Sequence, residues 1–291
     1  MQSELLPTNI HGKKVLLVAL DWGMGHTTRC VSIIRQLLAQ ENEIVFAGNS
    51  QQLAFMKSEF PALRLARLEG YDVELDSRRS TYLQLGKQLK KIVNAISAEQ
   101  KWLATFLAKE KVDFIISDNR YGFYSEAVPS IIVTHQLALQ IPKFKSFVNK
   151  KVVERIERFT YCWVPDDADH RLTGNLSIAN LKIPMSYIGP LNRFEKLERP
   201  MRYTYLLILS GPEPERSNFL KEALAFLNGC NGRSAIVGVQ SDIHDSYSSP
   251  NTQKLEELIA ESECVISRAG YTTIMEMVGL NKKAKLIPTK G

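Results

Sequence analysis

The sequence holds no run of eighteen apolar residues, so no stretch reads as a membrane-spanning helix. Residues 1–14 are polar and lack the apolar core of a secretory leader. The first apolar run, residues 15–20, is short and meets Asp21. A cytoplasmic protein is the expectation. Cysteine is scarce: Cys30, Cys162, Cys230 and Cys264 lie far apart, with no C-x-x-C. That argues against a disulfide framework and fits small buried thiols in a reducing compartment. Metal ligands are not clustered at any familiar spacing, so no metal is expected. His11, His170 and His244 sit in polar stretches and read as surface residues. Low-complexity tracts and short-period repeats are missing as well. Acidic residues are outnumbered, 31 against 37 basic ones, giving a net charge of +6. This suits an anionic ligand, an anionic membrane surface or nucleic acid without choosing among them. No nucleic-acid-binding motif accompanies the modest charge, so nucleic acid is not an expected partner.

What the sequence does have is apolar content: 44% of its 291 residues, enough to build one large core or two ordinary ones. Short β-branched runs alternate with helical patterns from end to end. Residues 15–20 read as a buried parallel strand, and 26–40 as a helix with Val31, Ile34, Leu37 and Leu38 on one face. Strands follow at 43–47, 63–68, 114–117, 130–134 and 161–164. Helices are expected at 50–59, over a long stretch at 81–110, and at 146–158. After a polar passage marked by Gly189-Pro190 and Arg199-Pro200 the pattern restarts. Strands at 205–209, 234–239, 264–267 and 284–287 then alternate with helices at 214–227, 252–260 and 272–280. The succession predicts an α/β protein of two domains, 1–198 and 199–291, each a parallel sheet wrapped by helices.

Several strand ends carry chemistry. Asp21 to His26 joins the first strand to the first helix through Gly23 and Gly25. Glycines there let a ligand approach the backbone, and the helix start favours an anion. A dinucleotide fingerprint would want glycine where Thr28 stands, so a nicotinamide site is not expected. His26 would project at the carboxyl end of the sheet, where open α/β folds bind ligands; the plainer reading is a packing histidine. Ser117-Asp118-Asn119-Arg120 and Thr134-His135-Gln136 end neighbouring strands and belong on the same rim. Asp118 could orient a histidine or share its proton. In the second half, Arg268-Ala269-Gly270 leads into a helix bearing Thr272, Thr273 and Glu276. Free backbone N–H groups at that turn would suit a diphosphate, and Glu276 would suit ribose hydroxyls; the plainer reading of Glu276 is a solvated helix residue. Ser210-Gly211, with Arg216 just beyond, forms a third small-residue turn. A basic amphipathic segment at 140–159 combines Lys143, Lys145, Lys150, Lys151, Arg155 and Arg158 with Ile141, Phe144, Phe147, Val148, Val152 and Ile156. It reads either as a packed helix with a cationic side or as a face for anionic lipid.

The motifs W-G-x-G-H-x-T-R-C (22–30), S-D-N-R-Y-G (117–122), V-T-H-Q (133–136), C-W-V-P-D (162–166), Y-I-G-P-L-x-R-F (187–194), L-S-G-P-E-P (209–214) and S-R-x-G-Y-x-T-I-M (267–275) occur in order along nearly the whole chain. Together they resemble the glycosyltransferase family that includes bacterial MurG and plant monogalactosyldiacylglycerol synthase, and within it an uncharacterised bacterial branch. The resemblance implies a GT-B architecture, two facing Rossmann-like domains around a cleft, with the second domain incomplete at its C-terminus because the family continues past the strand that ends here at Ile287. It implies a metal-independent, inverting transfer of a hexose or N-acetylhexosamine from a UDP-sugar to a hydroxyl of an envelope glycan or lipid-linked acceptor. Carried over by position, Ser210, Gly211, Arg216, Arg268, Ala269, Gly270, Thr272, Thr273 and Glu276 would bind the donor. Gly23, Gly25, Asn119 and His135 would line the acceptor side. His26 would deprotonate the acceptor, with Asp118 as the alternative. No cofactor is expected beyond the UDP-sugar substrate. The basic segment adds an expectation of peripheral contact with the anionic inner face of the plasma membrane. The rival readings are a UDP-sugar 2-epimerase and a catalytically inactive nucleotide-sugar-binding protein.

Overall fold

The computed structural model describes residues 4–71, 89–140, 145–211 and 213–288. The chain divides into two compact units, the first closing at Leu191 and the second running from Asn192. The second begins there, ahead of the expected 199, because Phe194 is buried in its core beside Tyr203, Leu206 and Val265.

The first unit is a seven-stranded parallel sheet. Its strands are β1 (Lys14–Ala19), β2 (Glu43–Gly48), β3 (Arg64–Arg67), β4 (Phe114–Asp118), β5 (Ser130–Val133), β6 (Tyr161–Val164) and β7 (Met185–Tyr187). Its helices are α1 (Gly25–Leu38), α2 (Ser50–Glu59), α3 (Leu89–Lys109) and α4 (Lys145–Ile156). Strand order is β3-β2-β1-β4-β5-β6-β7, so the direction of winding reverses between β1 and β4. Residues 15–19 are fully buried, as a central parallel strand covered on both faces requires. Leu16 and Val18 meet Leu103, Trp102 and Phe106 of α3 on one face. α1 contacts β1 and β2 and buries Val31, Ile34 and Leu37. α2 starts with a capping box between Asn49 and Gln52. The part of the long helix expected at 81–88 and residues 141–144 of the basic segment lie outside the described residues.

The second unit is a five-stranded parallel sheet in the order β10-β9-β8-β11-β12. The strands are β8 (Tyr203–Ile208), β9 (Ser234–Val237), β10 (Asp245–Tyr247), β11 (Ser262–Arg268) and β12 (Ala284–Ile287). Winding reverses between β8 and β11. Helix α5 (Glu215–Asn228) covers one face through Phe219, Ala223 and Leu227. The other face is covered by α6 (Thr252–Ala260) and α7 (Tyr271–Gly279), through Leu258, Ile259 and Met277. Both sheets are of the doubly wound type that the alternation predicts. The three-residue strands β7 and β10 are additions to it.

Candidate functional site

In the first unit the reversal point lies between the carboxyl ends of β1 and β4, where Ala19 pairs with Asp118. The chain leaves β1 through a tight turn in which the Gly23 N–H donates to the Asp21 carbonyl at 2.9 Å. Gly23 has φ +79°, a conformation glycine adopts without strain. Helix α1 then begins at Gly25, and its first turn carries His26. His26 Nδ1 lies 2.7 Å from Asp118 Oδ1. One turn further, Arg29 grips the same carboxylate, donating from Nε to Oδ2 and from Nη2 to Oδ1. The Cys30 thiol points at Oδ2 from 3.7 Å. Helix α1 thus delivers three side chains to one fully buried carboxylate.

Charge decides the protonation states. Burial raises the Asp118 pKa, but the charges of Arg29 and His26 outweigh it and hold it at about 2. His26 lies below the ordinary histidine value: burial and the Arg29 charge outweigh the pull of Asp118 and Asp21. An ionised Asp118 accepting from Nδ1–H fixes the neutral tautomer whose Nε2 is a free base. Val133 of β5 pairs with Asp118, so His135 lies just beyond the neighbouring strand end. Burial, then Arg29 and His26, lower its pKa to about 3. Asn119 has φ +56° and is 3% exposed. Its side-chain amide has no hydrogen-bond partner among the described residues.

Behind this rim lies a buried ion pair. Arg120 Nε donates to Glu99 Oε1 at 2.6 Å and Nη2 to the Glu69 carbonyl at 2.9 Å. Glu99 Oε2 also accepts from the Tyr71 hydroxyl at 3.0 Å and the Gly122 N–H at 2.8 Å. A Cβ on Gly122 would lie 2.5 Å from Glu99 and 2.7 Å from the Ile96 carbonyl, so only glycine fits.

In the second unit the turns after β8 and β11 meet. Ser210 and Gly211 are exposed; Gly211 has φ +95°, and a Cβ there would lie 2.5 Å from Arg268 Nη1. Arg216 donates to the Gly238 carbonyl after β9 and lies 3.6 Å from Glu213. The expectation of free N–H groups is not met at Ala269 or Gly270. Ala269 N–H donates to Ile287 and Gly270 N–H to Arg268, both at 2.8 Å. Gly270 is instead the N-cap of α7, whose first turn holds the half-buried Thr272 and Thr273. Glu276 is not a solvated residue: it is 6% exposed, and Oε1 lies 2.9 Å from Arg193 Nε. Burial raises its pKa and Arg193 opposes this.

The sequence reading missed Arg29, Glu99 and Arg193. Arg29 stands three residues after His26, on the same helical face. Glu99 interrupts the apolar stripe of Ile96 and Leu103. Arg193 belongs to the Y-I-G-P-L-x-R-F motif. Among the described residues no three His, Cys, Asp or Glu side chains are grouped to hold a metal ion, and no helix is long and apolar enough to cross a membrane.

Comparison with solved structures finds the same fold in several glycosyltransferases. Spinosyn rhamnosyltransferase SpnG superposes with a TM-score of 0.64 at 15% identity, over 95% of this chain and 80% of that one. Arabidopsis thaliana UGT89C1 complexed with quercetin gives 0.65 at 12%, over 95% and 79%. Phytolacca americana UGT2 complexed with UDP-2fluoro-glucose and pterostilbene gives 0.60 at 13%, over 95% and 80%. More particularly, residues 231–291 match the glycosyltransferase family 28 C-terminal domain. No curated protein sequence matches the chain.

Proposed function

We propose that the protein is an inverting glycosyltransferase that moves a hexose or N-acetylhexosamine from a UDP-sugar to an acceptor hydroxyl. The observation that carries this reading is the His26–Asp118 pair at the reversal point of the first unit, in a chain whose residues 231–291 match a glycosyltransferase C-terminal domain. His26 Nε2 takes the proton of the acceptor hydroxyl while its oxygen attacks C1 of the sugar. The bond from C1 to the diphosphate breaks, and UDP departs with the electron pair. Asp118 compensates the imidazolium. On the donor side, the first turn of α7 and Arg268 face the diphosphate, with the Gly211 turn beside them. Glu276 would have to share its carboxylate between Arg193 and the ribose.

The acceptor side comprises Gly23, Gly25, Asn119 and His135. A lipid-linked or envelope glycan acceptor is the finer reading, and it draws on α4. There Phe147 is exposed beside Lys150 and Lys151, the composition of a face that rests on anionic lipid. Cosedimentation with phosphatidylglycerol vesicles but not with phosphatidylcholine vesicles is expected, and equal partition would remove the lipid element.

The transferase test is UDP release from UDP-glucose, UDP-galactose and UDP-N-acetylglucosamine in the presence of an acceptor panel. His26→Gln should abolish turnover and leave UDP binding intact. Conversion of a UDP-sugar to its epimer without acceptor, seen by NMR, would replace the transferase by an epimerase. UDP binding with no turnover on any acceptor would leave a binding protein.

A further inference from the structure

The geometry points to Arg29 as the positioning residue of the His26–Asp118 pair: it fixes the plane of the Asp118 carboxylate, aims Oδ1 at His26 Nδ1, and so selects the imidazole tautomer with a free Nε2. The inference rests on the reading of His26 as the base. Arg29 is 2% exposed and contacts both carboxylate oxygens. A planar guanidinium on a planar carboxylate sets orientation as well as charge, which a lysine would not do. Arg29 and His26 come from one face of α1, so a single rigid element carries base and clamp, and β4 supplies the group between them.

The second consequence is electrostatic. A histidine beside a lone carboxylate gains basicity, because the anion stabilises the imidazolium. Here the carboxylate already has a counter-charge. The groups facing His26 are Asp21 from the loop after β1, Arg29 and Cys30 from α1, Asp118 from β4, and His135 beyond β5, with Tyr121 near Asp118. Burial opposes the imidazolium most and the Arg29 charge adds to it, while Asp118 and Asp21 favour it. The Cys30 thiol, pushed well up by burial, stays protonated, and His135 stays neutral. The arrangement keeps His26 deprotonated, ready to accept a proton, further into the acid range than an isolated histidine.

The experiment is nitrogen-15 NMR of the imidazoles in the full chain, assigned with His26→Gln. In the wild-type protein His26 should show a protonated Nδ1, an unprotonated Nε2, and a midpoint below that of a histidine in an unfolded peptide. A midpoint at or above that value overturns the proposal, and this arm needs no Arg29 variant to fold. In Arg29→Met the midpoint should rise and the Nδ1–H tautomer lose its dominance. Arg29→Lys should keep the low midpoint while the tautomer becomes mixed. An Arg29→Met protein with unchanged midpoint and tautomer would show that Arg29 is only packing. The acid limb of kcat should move with the midpoint. If the NMR behaves as expected and no variant, wild type included, releases UDP, the transferase reading fails and the positioning role of Arg29 stands.

Discussion

Replacing Arg120 with Met should destabilise the first unit by about 3–4 kcal/mol. Arg120 is 1% exposed and Glu99 2%, and their contact is 2.6 Å. Removing one partner of such a pair strands the other as an uncompensated buried charge, at about 3–5 kcal/mol. Glu99 would keep the Tyr71 hydroxyl and the Gly122 N–H, which points to about 3 kcal/mol. The lost bond to the Glu69 carbonyl adds about 1 kcal/mol at most. All three tryptophans, Trp22, Trp102 and Trp163, belong to the first unit, so fluorescence during urea unfolding follows that unit alone. At a slope of about 2–3 kcal/mol/M, a 3 kcal/mol loss lowers the midpoint by about 1–1.5 M. The deficit has a pH signature. Burial raises the Glu99 pKa and Arg120 opposes it, so without Arg120 it rises further. A carboxyl raised in the folded state loses stability as pH rises through its folded pKa, so the deficit should be smaller at pH 5 than at pH 8. Adding Glu99→Gln should recover more than half of the loss. A midpoint shift under about 0.3 M, or a double variant no better than the single one, would refute the account.

Four further outcomes are expected. Glu276→Gln should weaken UDP binding in calorimetry while the second unit melts normally; Glu276→Ala should also destabilise that unit, by about 2 kcal/mol, because the charged contact with Arg193 is removed. Binding by Glu276→Gln equal to wild type would end the ribose assignment. Gly211→Ala should cost about 1–2 kcal/mol in scanning calorimetry and displace Arg268, lowering UDP affinity in the same titration. Asn119→Gly keeps the positive φ and deletes an amide that bonds nothing among the described residues. Stability should change by less than about 0.5 kcal/mol while the KM for the acceptor rises; an unchanged KM removes Asn119 from the acceptor side. Finally, because His135 is held at about 3 against an ordinary 6.5, the unfolded chain takes up a proton first. The first unit should therefore lose stability as pH falls from about 6.5 toward 3, and His135→Leu should flatten that slope in urea midpoints.

The strands that carry the two reversal points were legible because buried parallel strands are unbroken apolar runs, as in residues 15–19 of β1 and 205–208 of β8. β7 and β10 were not legible: three residues leave no period to read. His26 and Asp118 could be placed on one rim from the strand-end rule, since each follows a central strand. Their contact could not, because it depends on the register that pairs Ala19 with Asp118. Arg29 escaped because a cation inside an amphipathic helix ordinarily faces water, and only the tertiary fold supplied its carboxylate. Glu276 was placed correctly on α7, but its surroundings depend on Arg193, which lies at the start of the second unit, far earlier in the chain. The N–H groups of Ala269 and Gly270 looked free because a Gly-containing turn was read alone; β12, still to come in the chain, takes one of them.

The central place of β1 has a consequence for how the protein is made. Val15 pairs with Ile44 on one side and with Phe114 on the other. A ribosome adding about 5–20 residues per second needs several seconds to get from the second partner strand's absence to its arrival. Throughout that interval a strand that is apolar from Val15 to Ala19 has one hydrogen-bonding edge open. The nascent chain is then a natural client for holding factors, and the time before residue 118 emerges is when a stalled or slowed ribosome would do the most harm.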